Sequence, residues 1–304
     1  MPDQIPANSI EITVPATSGN VGPGFDCLGV ALTLYNSFRF TLADELLISA
    51  EGVGAERIAQ NKHNLVYQSF LRCWQYLGRD KTNLSIHIKM QVPPSRGLGS
   101  SATAIAAGVC AANVFAGEPL STKELVAIAT DIEGHPDNVA PALLGGCRLI
   151  AGREICQIAW HESISVAVVI PEFELSTAKA RQVLPRQISM ADAVFNCAHL
   201  GLLTQALATG KREWLMEALQ DKLHQPYRTP LIPALATVRQ TAMQAGAYGL
   251  VISGAGPSLL AIAPAELTAS VGQAMQKAWL AEGIKSQWQT LGIDYQGARS
   301  LIVY

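Results

Sequence analysis

The residues Val92-Pro93-Pro94-Ser95-Arg96-Gly97-Leu98-Gly99-Ser100-Ser101-Ala102-Thr103 join a strand-like segment to an alanine-rich helical one. Gly97 and Gly99 carry no Cβ to shield their amides, and Ser100 and Ser101 add hydroxyls. A helix beginning near Ser101 would present unpaired N–H groups and about half a positive charge. This combination suits the triphosphate of a nucleotide.

The same residues admit other readings. Gly97 to Ala102 satisfies the dinucleotide pattern G-x-G-x-x-G/A. That fold wants a parallel strand buried on both faces and a tight turn after it. Here Leu84 to Val92 alternates apolar and polar residues, and Pro93-Pro94-Ser95-Arg96 intervenes. The P-loop pattern G-x-x-x-x-G-K-[ST] is absent. A plain glycine turn with serine N-caps remains open.

The elements that would hold this loop follow from periodicity. Ser9 to Val14 and Leu84 to Val92 read as strands, the second with one wet face. Leu65 to Leu77 has helical spacing and stops at Gly78. Ser121 and Glu124 form a capping box for a helix running to Gly134. Strands are predicted at Cys147 to Ala151, Ile164 to Ile170, Leu250 to Ser253 and Leu259 to Ala263. Helices are predicted within Met190 to Ala208, Glu213 to Gln220, Leu231 to Ala245 and Ala265 to Ala281. The pattern implies an α+β fold with helices on one face of each sheet.

At 304 residues the chain exceeds the size at which single cores usually stop growing, so two domains are expected, 1–158 and 159–304. The boundary falls where Arg153-Glu154 and His161-Glu162-Ser163 bring polarity between strands. A net charge of -2 and 15% charged residues give no reason to expect nucleic acid or an anionic membrane, so the partner is a small molecule. Six cysteines lack any C-x-x-C pair, and Met1-Pro2-Asp3-Gln4 lacks signal-peptide character, which predicts a reduced cytoplasmic setting. The apolar run Ala102 to Ala116 is interrupted by Thr103 and Asn113 and is too weak for a membrane span. The five tryptophans are scattered, which argues against a base-stacking platform.

Further motifs narrow the chemistry. Pro93 to Thr103 resembles the ATP loop of the GHMP small-molecule kinases. Pro15-Ala16-Thr17-Ser18-Gly19-Asn20-Val21-Gly22-Pro23-Gly24-Phe25-Asp26 is similar to the amino-terminal motif of the homoserine kinase family within that group, and Glu133-Gly134-His135-Pro136-Asp137-Asn138-Val139-Ala140-Pro141 to its central motif. Ser176-Thr177-Ala178-Lys179-Ala180-Arg181 with Leu184-Pro185, His224-Gln225-Pro226-Tyr227-Arg228, and Ser253-Gly254-Ala255-Gly256-Pro257-Ser258 complete the resemblance. One departure is Gly19, where alanine is frequent.

The resemblance implies an α+β, two-domain GHMP kinase fold: an N-terminal domain like domain 2 of ribosomal protein S5 and a ferredoxin-like C-terminal domain. It implies a cytoplasmic enzyme, expected as a homodimer, that phosphorylates the L-homoserine hydroxyl with ATP and Mg²⁺ to give O-phospho-L-homoserine for threonine biosynthesis. A kinase for mevalonate or a sugar, and a silent metabolite sensor, are the alternatives. An arginine fork argues against the first, and retained metal ligands against the second.

By the same resemblance, Pro94, Ser95, Arg96, Gly97, Leu98, Gly99, Ser100, Ser101, Ala102, Thr103 and Ala104 hold ATP, with Asn64 at the adenine or acting as an N-cap. Ser101 and Glu133 hold Mg²⁺, a hard cation suited to oxygen ligands. Arg181 and Arg228 grip the substrate carboxylate. Asn20, Asp26, Asp137 and Asn138 surround its amino and hydroxyl groups, with Thr177 and Gly256 beside them. Asn138, Asp26 and Arg181 are the expected catalytic residues. Asn138 stands where some relatives carry an aspartate base, and an amide cannot take a proton, so the hydroxyl is expected to attack directly. His135 is read as structural.

Overall fold

The computed structural model describes residues 9–303, so Met1 to Gln4 lie outside the described residues. In the first half, β1 (Ser9–Gly19) and β2 (Leu28–Ala43) form an antiparallel pair with a register shift at Pro15/Ala16. Next come β3 (Leu47–Gly52), α1 (Leu65–Tyr76) and β4 (Asn83–Met90), with β3 and β4 parallel. Three helices follow, α2 (Ser100–Phe115), α3 (Thr122–Glu133) and α4 (Pro136–Leu144), and then β5 (Cys147–Ala151) and β6 (Glu154–Ile158).

The second half contains β7 (Ile164–Pro171), α5 (Thr177–Gln182), α6 (Met190–Thr209), α7 (Arg212–Ala218), α8 (Gln225–Arg228) and α9 (Leu235–Gln244). It continues with β8 (Gly249–Ile252), β9 (Leu259–Pro264), α10 (Thr268–Ala281) and β10 (Ser286–Leu291). Its sheet has the order β10-β7-β9-β8 with every neighbour antiparallel, the βαββαβ pattern of a ferredoxin-like unit. The last strand, β11 (Arg299–Val303), returns to pair with β1 at the edge of the first sheet, which runs β11-β1-β2-β4-β3 with β5 and β6 attached through β2.

Strand β4 buries Leu84, Ile86, Ile88 and Met90 and leaves the residues between them half-buried or exposed, the alternation expected of a sheet with one wet face. Phe38, Phe40, Ile10 and Ile12 join that buried face against Phe70 of α1 and Ile105 of α2. The second sheet departs from the expected one-sided cover. Val169, Ile252 and Ala261 pack under α9 and α10, whereas Val166, Val251 and Leu260 meet α6 and the Ala16, Leu28 and Val30 end of the β1–β2 pair. Burial on both faces is why β7 reads as a continuous apolar run.

The loop after β4 is held from beneath by Asn36 of β2. Its Oδ1 accepts from the amides of Gln91 and Val92, and its Nδ2 donates to Thr103 Oγ1 at the start of α2. Asn36→Ala would leave these groups unpaired in a sealed site, at a cost of about 2–4 kcal/mol. A thermal melt should register the loss; an unchanged Tm would show that the amides find other acceptors.

Candidate functional site

The loop from Ser95 to Gly99 is tied down by its carbonyls. Arg96 O accepts from Ser258 N, Gly97 O from Ser253 Oγ, and Leu98 O from Thr17 N. With the carbonyls directed into the protein, the opposite side of the peptide planes is left open. None of the amides from Gly97 to Ala102 donates a hydrogen bond within the described residues. These amides, the last three of them in the first turn of α2, form an anion-binding concavity.

The glycines serve a different purpose from the one the sequence suggested. Gly97 and Gly99 have φ of 76° and 66°, and a Cβ added to them would lie 2.2 Å from Ser253 O and 2.0 Å from Thr17 Oγ1. Both Cβ positions thus face the protein and not the space above the amides. The glycines permit the left-handed backbone and the close seat on β1 and the 253–258 loop.

Ser101, at the first turn of α2, donates a 2.6 Å hydrogen bond to Glu133 Oε1 at the last turn of α3. A carboxylate at a helix C-terminus faces an unfavourable dipole. Burial pushes the Glu133 carboxyl up, while the Ser101 hydrogen bond and the charge of His135 pull it down. Two oxygen ligands brought together beside an anion-binding loop, one of them a poorly neutralised carboxylate, fit a hard divalent cation.

A second group, Asp26, His135 and Asp137, brings its ligand atoms within 4.8 Å of one another. Those oxygens are already engaged. Asp26 is forked by Arg181 at 2.8 and 2.9 Å, and fully buried Asp137 is bonded to His135 Nδ1 at 2.7 Å and Asn138 Nδ2 at 3.4 Å. Burial pushes the His135 imidazole down, but the hydrogen bond and charge of Asp137 outweigh it, so its pKa is raised.

The opposite wall begins where β1 ends. Asn20 and Asp26 both adopt left-handed backbone, with φ of 58° and 54°, and Asn20 bonds to Asp26 N and Gly254 O. Arg228 is buried, donating to Ala180 O, Gly254 O and His224 Nδ1. Burial lowers its pKa to about 10. The Phe25 ring lies 5.3 Å from the Arg228 guanidinium carbon and 5.7 Å from that of Arg181, an apolar platform for two cations.

His224 donates Nε2–H to Gly22 O at 2.8 Å, which leaves Nδ1 as the acceptor for Arg228 and requires a neutral ring. Burial pushes its pKa below the ordinary 6.5, against the pull of Asp221. The native state thus binds fewer protons than the unfolded chain. The stability this provides is complete above pH 6.5 and falls as pH drops through the lower native value. The Tm advantage of the wild type over His224→Asn should therefore shrink from pH 7 to pH 5; a constant difference would place the ring's titration elsewhere.

These elements enclose one cleft of about 460 Å³. Pro94, Ser95, Arg96, Gly97, Gly99, Ser100, Ser101, Thr103, Ala104, Asn64 and Glu133 meet Asn20, Asn138, Thr177, Arg181, Arg228 and Gly256 there. Leu98 and Ala102 point into the core and offer only backbone. Thr103 is sealed, its hydroxyl donating to Ser100 O. Asn64 caps α1 through Val66 N and Tyr67 N and donates to Ala59 O, so its amide is spent locally. Asn138 Oδ1 accepts from Thr17 Oγ1 and Gly19 N. The Gly256 amide is bonded to Ser253 O.

Gly19 is more constrained than its sequence context suggests, since a Cβ there would lie 2.0 Å from Asp137 Oδ2. Residues given no role from sequence also shape the site. Phe25 and Thr17 lie within the amino-terminal motif. Arg57 and Glu174 carried no local signal, yet Glu174 pairs with both Arg57 and Arg96 at the rim of the cleft.

Residues 64–146 match the GHMP kinases N terminal domain family, and residues 203–281 match GHMP kinases C terminal. The chain is 55% identical to a homoserine kinase of Microchaete diplosiphon over 300 residues, 97% of this chain and 98% of that one. It is 54% identical to one from Trichormus variabilis, over 96% and 98% of the two chains. The crystal structure of homoserine kinase from Cytophaga hutchinsonii superposes with a TM-score of 0.89 at 31% identity, over 99% of this chain and 100% of that one. The Methanococcus jannaschii mevalonate kinase, at TM-score 0.70 and 15% identity over 93% and 98%, shares the fold.

Proposed function

The chain belongs to the GHMP kinases and, among them, to the homoserine kinases, and on that premise we propose that it transfers the γ-phosphoryl group of ATP to the side-chain hydroxyl of L-homoserine. The observation that carries this reading is a cleft with two unlike walls. Open amides and the Ser101–Glu133 pair suit a metal nucleotide, and Arg181 and Arg228 in the lining, with Asp26 forked to Arg181 beside it, suit a zwitterion. An amino acid has an ammonium for the carboxylate and a carboxylate for guanidinium forks. A sugar has neither.

Phosphoryl transfer asks the protein mainly to align the reactants and stabilise charge. The amides of residues 97–102 take the phosphate oxygens. Ser101 and Glu133 hold Mg²⁺, which when bound neutralises the triphosphate. Arg181 and Arg228 fix the carboxylate, with Asn20, Asp26, Asp137, Thr177 and the Gly256 backbone around the rest of the substrate. Asn138 has its carbonyl committed to Thr17 and Gly19 and no proton to exchange, so it positions β1 and leaves the hydroxyl to attack without a protein base.

We assign residues 1–158 to the nucleotide half and 159–304 to the half completing the substrate site, with β11 lent back to the first sheet. The product O-phospho-L-homoserine places the enzyme in threonine biosynthesis. Six free thiols suit a reduced cytoplasm, and a homodimer is the expected assembly. Purified protein with Mg²⁺ and ATP, offered L-homoserine, mevalonate and galactose separately, should turn over the first alone. Transfer to another alcohol with none to homoserine would overturn the acceptor. Nucleotide binding without any turnover would favour a sensor.

A further inference from the structure

Beside α8, whose Gln225 and Pro226 line it while Arg228 lines the nucleotide cleft, a second cleft of about 420 Å³ opens between α7, α9 and β8. Its walls share no residue with the nucleotide cleft. Met216, Leu219, Met243 and Leu250 give it an apolar side, and polar residues including Asp221, Gln225 and Arg239 line nearly as much of it. Arg239 belongs to α9. Its Nε is sealed from solvent with no acceptor, and its guanidinium makes no hydrogen bond or ion pair within the described residues. Burial pushes its pKa down, and no neighbouring carboxylate opposes that.

The carboxylate in the cleft wall, Asp221, cannot serve as its partner. Asp221 Oδ1 accepts from Asn196 Nδ2 and Leu223 N, and Oδ2 from His224 N and Gln225 N. Gln225 fixes its Oε1 to Ile252 N, and its Nε2 donates to no protein acceptor. A half-buried cation without a counter-charge is costly, and here it lies beside a free amide donor in a cavity of small-ligand size.

We propose that this cleft binds a small aliphatic anion, its carboxylate or phosphate on Arg239 and Gln225 and its carbon chain against Met216 and Met243, and that occupancy is felt through α8 at Arg228. Gln225 and Arg228 are the two ends of that single helical turn. A ligand that moves the first therefore displaces the second. An oxyanion is the complement of an unpaired guanidinium fork.

The test titrates isovalerate and inorganic phosphate separately into the full chain by calorimetry, with Mg²⁺ and ADP present so that the nucleotide loop is filled. At least one probe should bind saturably at one site, and Arg239→Gln should weaken it by about tenfold or more. The variant removes an uncompensated cation, so its Tm should not fall, and without probe its kcat and both KM values should stay within about twofold of wild type. Arg239→Lys, which keeps the charge but not the fork, serves as a second variant. With the probe saturating, the homoserine KM should shift in the wild type and not in Arg239→Gln. No saturable binding of either probe, or equal binding by wild type and Arg239→Gln, overturns the site. Binding that leaves the homoserine KM unmoved overturns its link to α8.

Discussion

Replacing Glu133 by glutamine should lower kcat by about 10²–10³-fold while changing the homoserine KM by less than about threefold. The expectation rests on where the carboxylate sits. It closes α3, where the dipole disfavours a negative charge, and faces Ser101 across the mouth of the phosphate loop. Glutamine keeps the shape and can still accept from Ser101, but it removes the charge that a divalent cation needs. Burial raises the Glu133 carboxyl above its ordinary range, so the native state holds this proton more tightly than the unfolded chain. The linked stability is present below the unfolded pKa and is lost as pH rises through the native one. Glutamine should therefore not lower the Tm at pH 7, and any loss of activity belongs to chemistry. Steady-state kinetics across a Mg²⁺ titration, beside a thermal melt, separate the two. A variant with wild-type kcat would remove Glu133 from the metal site.

Much of the scaffold was legible because its signals are local. Ser121 accepts from Glu124 N and Glu124 bonds back to Ser121 N, and Gly134 takes the left-handed conformation at the end of α3. Strand β4 showed its wet face in its alternation. Strand β2 showed no single period, because its first half is buried against the second sheet and its second half alternates over α1 and α2. Helix α4 was hidden by its own chemistry: His135 is no usual N-cap, and Pro141 inside the helix reads as a breaker. The four-residue α8 is too short for any periodicity.

The site followed the same rule. Motif residues within one segment were found together, but their partners across the fold were not. Arg181 meets Asp26 over 155 residues of sequence separation, and no spacing rule connects them. Similarly, Gly97 and Gly99 were visible as glycines, but the direction their missing side chains would take depends on Ser253 and Thr17, which lie elsewhere in the chain.

Arg181→Ala should raise the homoserine KM on the order of 10²-fold, lower kcat less, and leave the KM for ATP unchanged. In the structure the guanidinium and the Asp26 carboxylate form a two-bond fork, with each side chain about one-third exposed. The Asp26 hydrogen bond raises the Arg181 pKa further, so the guanidinium stays charged. A zwitterion can enter such a pair by giving its carboxylate to the arginine and its ammonium to the aspartate. The ion pair is thus the site's own substitute for the substrate, and binding exchanges one set of charge-assisted bonds for another. Removing Arg181 withdraws the donor of that exchange and leaves Asp26 with a single role. Lysine keeps the charge but cannot fork, so Arg181→Lys should recover only part of the loss. Asp26→Asn should weaken homoserine as well, and the double variant should lose less than the sum of the two single losses, because each change disables the same exchange. A KM for ATP that rises in parallel with that for homoserine would place Arg181 on the nucleotide side of the cleft, and strictly additive losses would separate it from Asp26.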